Sequence, residues 1–91
     1  MEIKKLKSMP YANAFVEIID DKNFNLWSYR TLVCKVEDNI LTVNGLYSMT
    51  TRKHISAFVK EYCNTSYQVA KQLYEDKFSL DLSTGELFDI K

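Results

Sequence analysis

From Tyr11 to Ile19, Phe15, Val16, Ile18 and Ile19 form a β-compatible run. The turn cluster Asp20-Asp21-Lys22-Asn23 ends it. A second strand is predicted from Leu26 to Val36. One face of it carries Leu26, Ser28, Arg30, Leu32, Cys34 and Val36, the other Trp27, Tyr29, Thr31, Val33 and Lys35. Both faces are partly apolar, the pattern of a central strand. The short link Glu37-Asp38-Asn39 predicts an antiparallel hairpin to a strand over Ile40 to Tyr47. Gly45 within that strand marks a bulge or a close backbone approach.

The period then changes. Ile55, Phe58, Val59 and Tyr62 fall at i, i+3, i+4 and i+7, so a helix is predicted from about Thr51 to Tyr62. Asn64-Thr65-Ser66 breaks it, and Ser66 caps a second helix over about Tyr67 to Lys77, with Ala70, Leu73, Tyr74 and Tyr67 as its stripe. Phe78 to Leu82 alternates, Ser83-Thr84-Gly85 turns, and Glu86 to Ile90 alternates again, which makes a C-terminal hairpin. Residues 1–10 are basic and end in Pro10, as a lead-in or a short edge strand. The expected fold is α+β: an antiparallel sheet of three or more strands packed on one or two helices, with a C-terminal β-hairpin, in a single domain over residues 1–91.

Composition narrows the function classes. A chain of 91 residues buries only about two-thirds of its unfolded surface, so the core is modest. Twelve Lys and Arg balance twelve Asp and Glu, whereas a general nucleic-acid binder carries a basic excess. Six Tyr, five Phe and one Trp supply large pieces for a small core or for a binding surface. Trp27 and Tyr29 beside Arg30 have the chemistry to stack on bases. The ribonucleoprotein-type aromatic motif is absent, however, and core packing or cross-strand pairing is the favoured reading. The charged N-terminus lacks the apolar segment of a secretory signal, so the expected compartment is a reducing cytoplasm, with free thiols expected at Cys34 and Cys63. Two cysteines and one histidine fall short of a zinc set, and two glycines cannot make a phosphate loop. No metal or cofactor is implied. No apolar run approaches the ~18 residues that span a membrane.

The densest chemistry lies at the strand-to-helix junction, Ser48 to His54. Ser48 or Thr50 is placed to cap the helix. Arg52 and Lys53 occupy a first turn, where cations oppose the helix dipole at a cost of roughly 0.3–1 kcal/mol. Two readings stand: a plain cap with solvated cations, or a contact for an acidic group such as a partner carboxylate or a phosphate. The candidate binding residues are Tyr47, Ser48, Thr50, Thr51, Arg52, Lys53 and His54. A catalytic His54 would require a nucleophile, and Cys34, Cys63 and Ser48 are the candidates that spacing leaves undistinguished.

Leu26 to Val33, with the pattern SY-x-T-x-V at Ser28 to Val33, and Val43 to Ile55, with G-x-YS-x-TT-x-x-H-I at Gly45 to Ile55, resemble small proteins of phages and mobile elements of low-GC bacteria. The resemblance covers roughly residues 26–59, and the Ser83-Thr84-Gly85-Glu86 turn is also common among such proteins. The family has no assigned function. The resemblance implies a phage accessory protein in a bacterial cytoplasm. By association it implies a non-enzymatic, anti-CRISPR-type inhibitor that binds a bacterial host defence protein. The alternative is a small nucleic-acid-binding accessory protein that contacts phosphate through the helix N-terminus.

Overall fold

The computed structural model describes residues 2–45 and 48–89. Among these residues, seven strands form one antiparallel sheet in sequential order. They are β1 (Glu2–Lys4), β2 (Ala14–Asp20), β3 (Asn23–Ser28), β4 (Thr31–Glu37), β5 (Ile40–Val43), β6 (Phe78–Asp81) and β7 (Leu87–Asp89). The helices α1 (Met49–Tyr62) and α2 (Tyr67–Asp76) are inserted between β5 and β6. The α+β class, the packed helices and the C-terminal hairpin of the sequence reading are all present.

Register explains which face the helices cover. Val16, Leu26, Cys34 and Val43 are cross-strand partners in one row; Ile18, Phe24, Val36, Leu41 and Leu80 form the next. These rows meet Ile55, Phe58 and Val59 of α1 and Ala70 and Leu73 of α2 in a single core. Phe58 is fully buried, with its ring edge-on to Phe24 at 5.9 Å and stacked on Tyr62 at 5.7 Å. Among the described residues, no helix covers the other face of the sheet. Its side chains alternate out of the same strands, including Phe15, Glu17, Asn25, Trp27, Leu32 and Lys35, all partly or fully exposed. One-sided burial of this kind suits an antiparallel sheet.

The structure corrects three parts of the sequence reading. The strand predicted over Leu26 to Val36 is two strands, β3 and β4, turned back at Tyr29-Arg30. Tyr29 has φ 57°, a left-handed conformation uncommon for an aromatic residue, and its N–H donates to Asn13 O at 2.6 Å. A bulge between Leu26 and Trp27 then shifts the register of β4, so Val33 and Cys34 are both buried and Leu32 joins Trp27 on the open side. In α2, Ala70 and Leu73 are core, but Tyr74 is exposed. The strand predicted to run to Tyr47 is observed over Ile40–Val43; Leu46 and Tyr47 lie outside the described residues. Among the described residues, no helix is long and apolar enough to cross a membrane.

Candidate functional site

The junction between β5 and α1 is set by a cap. Ser48 has an extended backbone, and its hydroxyl accepts from Thr51 N at 3.2 Å, which satisfies one of the free donors at the helix start. From there the junction separates into two layers. Thr51 and His54 point inward, and Thr50, Arg52 and Lys53 point to solvent.

The inner layer is a chain of hydroxyls ending on the imidazole. Ser48 Oγ donates to Thr51 Oγ1 at 3.3 Å, Thr51 Oγ1 lies 3.4 Å from Ser28 Oγ, and a 2.8 Å hydrogen bond joins Ser28 Oγ to His54 Nδ1. Ser28 and His54 are each 1% exposed. Tyr29 covers the imidazole at 6.0 Å between ring centroids. Burial in this apolar setting lowers the His54 pKa, because the charged ring loses solvation. The neutral imidazole, hydrogen-bonded to Ser28, fastens α1 to β3. None of the nucleophiles proposed from the sequence is its partner. Cys34 and Cys63 are buried and free. Desolvation pushes the Cys63 thiol up to about 12 and the Cys34 thiol higher still, with the Cys63 charge adding to the effect on Cys34. Both therefore remain protonated and weakly nucleophilic at neutral pH.

Ser28 is the residue of this layer that the sequence reading did not assign to the site. Its signal was visible: a hydroxyl on the same face of the strand as Leu26, a buried polar group that requires a partner.

The outer layer is cationic. Arg52 and Lys53 line a shallow hollow of about 300 Å³ with Met49, Ser56 and Tyr67. Met49 is 74% exposed. The first turn of α1 holds no acidic residue. The ion pairs among the described residues are Lys4 with Glu2 and Lys35 with Glu37, so neither Arg52 nor Lys53 is neutralised there. Of the candidate binding residues, the structure thus buries Thr51 and His54, links exposed Ser48 to them through the hydroxyl chain, and leaves Thr50, Arg52 and Lys53 on the surface. Tyr47 falls outside the described residues. No group of three or more His, Cys, Asp or Glu side chains gathers as a metal set among the described residues.

The model of a family of unknown function, DUF8033, matches residues 1–77, and the chain belongs to that family. The match runs from the first strand to Lys77, the C-cap of α2, and leaves the β6–β7 hairpin outside it. No curated protein and no solved structure matches the chain.

Proposed function

We propose that this member of the DUF8033 family is a non-enzymatic binding protein that engages an acidic surface of a protein partner through the outward face of the first two turns of α1. The observation that carries the reading is the pair Arg52 and Lys53, exposed in a first turn that favours acids and without an ion-pair partner among the described residues. Cations at that position oppose the helix dipole, and an acidic partner would offset them. Exposed Met49 and half-buried Tyr67 lie beside them. An adaptable thioether and an aromatic ring suit the centre of a protein contact. The non-enzymatic part rests on the sealed Ser28–His54 pair and the two protonated thiols.

The identity of the partner follows the resemblance to small phage proteins: a bacterial defence protein, inhibited by occlusion in the manner of an anti-CRISPR. The alternative, phosphate contact by the same helix start, uses the same cations.

The test is the double reversal Arg52→Glu/Lys53→Glu. It removes two cations from a helix start, so the melting temperature should hold or rise slightly. Capture of a partner from bacterial lysate, and the affinity of that partner in titration, should fall at least tenfold. Undiminished binding by a folded double variant sinks the contact. Capture that disappears on nuclease treatment transfers the assignment to nucleic acid.

A further inference from the structure

We propose that the open face of the sheet, opposite the helices, carries a binding cleft for single-stranded nucleic acid, built from Phe15, Trp27 and Tyr29 with Lys5 and Arg30 as its phosphate contacts. This surface is separate from the outward face of α1, and its argument does not depend on the function proposed above.

The cleft follows from register. Phe15 on β2 and Trp27 on β3 are direct cross-strand partners, so both rings stand on the open face, 6.3 Å apart and within 12° of parallel. The tight turn after β3 places Tyr29 at the end of the same patch, 53% exposed. Two hollows meet around Phe15, Tyr29 and Arg30. The larger, of about 680 Å³, adds Lys5, Asn13 and Thr31 to these; the smaller, of about 420 Å³, adds Ile3, Glu17 and Trp27. Cross-strand pairing accounts for Phe15 with Trp27. It does not account for a further ring and two cations converging on the same place.

Charge selects the occupant. Among the described residues, the charged side chains lining the larger hollow are Lys5 and Arg30, both exposed; neither forms an ion pair there, and Lys5 Nζ makes only a long 3.5 Å bond to Ala12 O. The one carboxylate of the smaller hollow, Glu17, is turned to its own neighbours: Oε1 accepts from Trp27 Nε1 at 3.2 Å and from Asn25 Nδ2 at 3.1 Å. A ligand that fits is therefore anionic along one side and flat and apolar along the other. Stacked bases on a phosphate backbone have that form, and sheet-borne aromatics flanked by cations are a general way of holding them without sequence preference. β1 to β4 span three gaps of about 4.8 Å, room for two to three nucleotides. A cleft of two cations is compatible with the zero net charge of the chain because it needs only a local excess.

Trp27 is the sole tryptophan and reports on its own site. Short single-stranded DNA and RNA of mixed sequence, titrated at low salt, should quench its fluorescence saturably. Two phosphate contacts predict a log–log dependence of affinity on salt with a slope of about −1.4. The exposed pair Lys5→Glu/Arg30→Glu should weaken binding about tenfold or more while the melting temperature holds. Phe15→Ala removes the ring stacked on Trp27 from the open face without touching the packing around His54, and should weaken binding about fivefold or more. The proposal is overturned by the absence of saturable quenching up to about 1 mM nucleotide. It is overturned equally if duplex DNA or poly-glutamate quenches as well as the single strands. Loss of the same size in Lys60→Glu/Lys71→Glu, which makes an equal charge change on the helices, would show diffuse attraction and also overturn it.

Discussion

Burial makes His54 a base that resists protonation, and this has a consequence for stability. In the unfolded chain its pKa returns towards 6.5, while in the folded protein it lies lower. As pH falls from about 6.5 towards the folded value, the unfolded state binds the proton first, so stability is full above that window and declines within it. Thermal melts should therefore fall between pH 7 and pH 5, and His54→Asn, which cannot titrate, should flatten the slope there. A slope unchanged in the variant would refute the assignment. Below about pH 4.5 a second decline is expected. Glu61 sits in a setting whose burial raises its pKa, but the donors Ser8 Oγ, Ser8 N and Lys7 N outweigh this and hold it low. Its contribution is present above the ordinary carboxylate range and is lost as pH falls through it. Two single replacements test the packing around the imidazole and the ring cluster. Ser28→Ala leaves buried His54 Nδ1 without its partner and should cost about 1–3 kcal/mol in urea unfolding. Phe58→Ala opens a cavity beside Phe24 and Tyr62 and should cost about 3–5 kcal/mol. That is a large part of the total stability of a domain this small.

The helix starts are the elements whose ends were legible. Ser48 and Ser66 each precede an apolar stripe, and each caps its helix. The Ser48 bond is shorter, 3.2 Å against 3.4 Å, and its hydroxyl also reaches Thr51. Ser48→Ala should therefore cost about 1 kcal/mol, more than Ser66→Ala, in paired chemical melts; equal costs would count against the link to Thr51. Hairpin turns divide by residue type. At Asp38-Asn39 both residues have positive φ, and both are of the kinds that tolerate it, so the β4–β5 hairpin was readable. At Tyr29-Arg30 neither residue signals a turn. There the backbone is held from outside the hairpin, by the N–H bond to Asn13 O and by the Tyr29 ring over His54.

For the molecule as a whole, the thiols report on whether the core stays closed. Cys34 lies on β4 and Cys63 caps α1, both buried and unbonded. A thiol reagent should label neither in the native state and both after unfolding, and reductant should leave the melting temperature unaltered; a drop on reduction would reveal a disulfide. The sheet is closed by its least local pairing, β5 with β6, in which Ile40 meets Asp81 and Leu41 meets Leu80 across the inserted helices. Of Ser48 and Thr50, the structure chose Ser48 to cap α1; local pattern by itself determined the α+β class, the one-sided helices with Ile55, Phe58, Val59, Ala70 and Leu73 inward, the Ser66 cap, and the C-terminal hairpin. Each of these depends on periodicity or on contacts a few residues away, which the order of residues contains directly. The tertiary structure alone decided three further things. It split the Leu26–Val36 run at Tyr29. It sorted the Ser48–His54 segment into a buried Thr51 and His54 and an exposed Arg52 and Lys53. It set Phe15 beside Trp27 on the open face. Those outcomes turn on register, on a bulge, and on a partner for His54 that lies 26 residues away at Ser28. A shift of one residue in strand pairing reverses every inward and outward assignment, so no local reading of the chain could contain them.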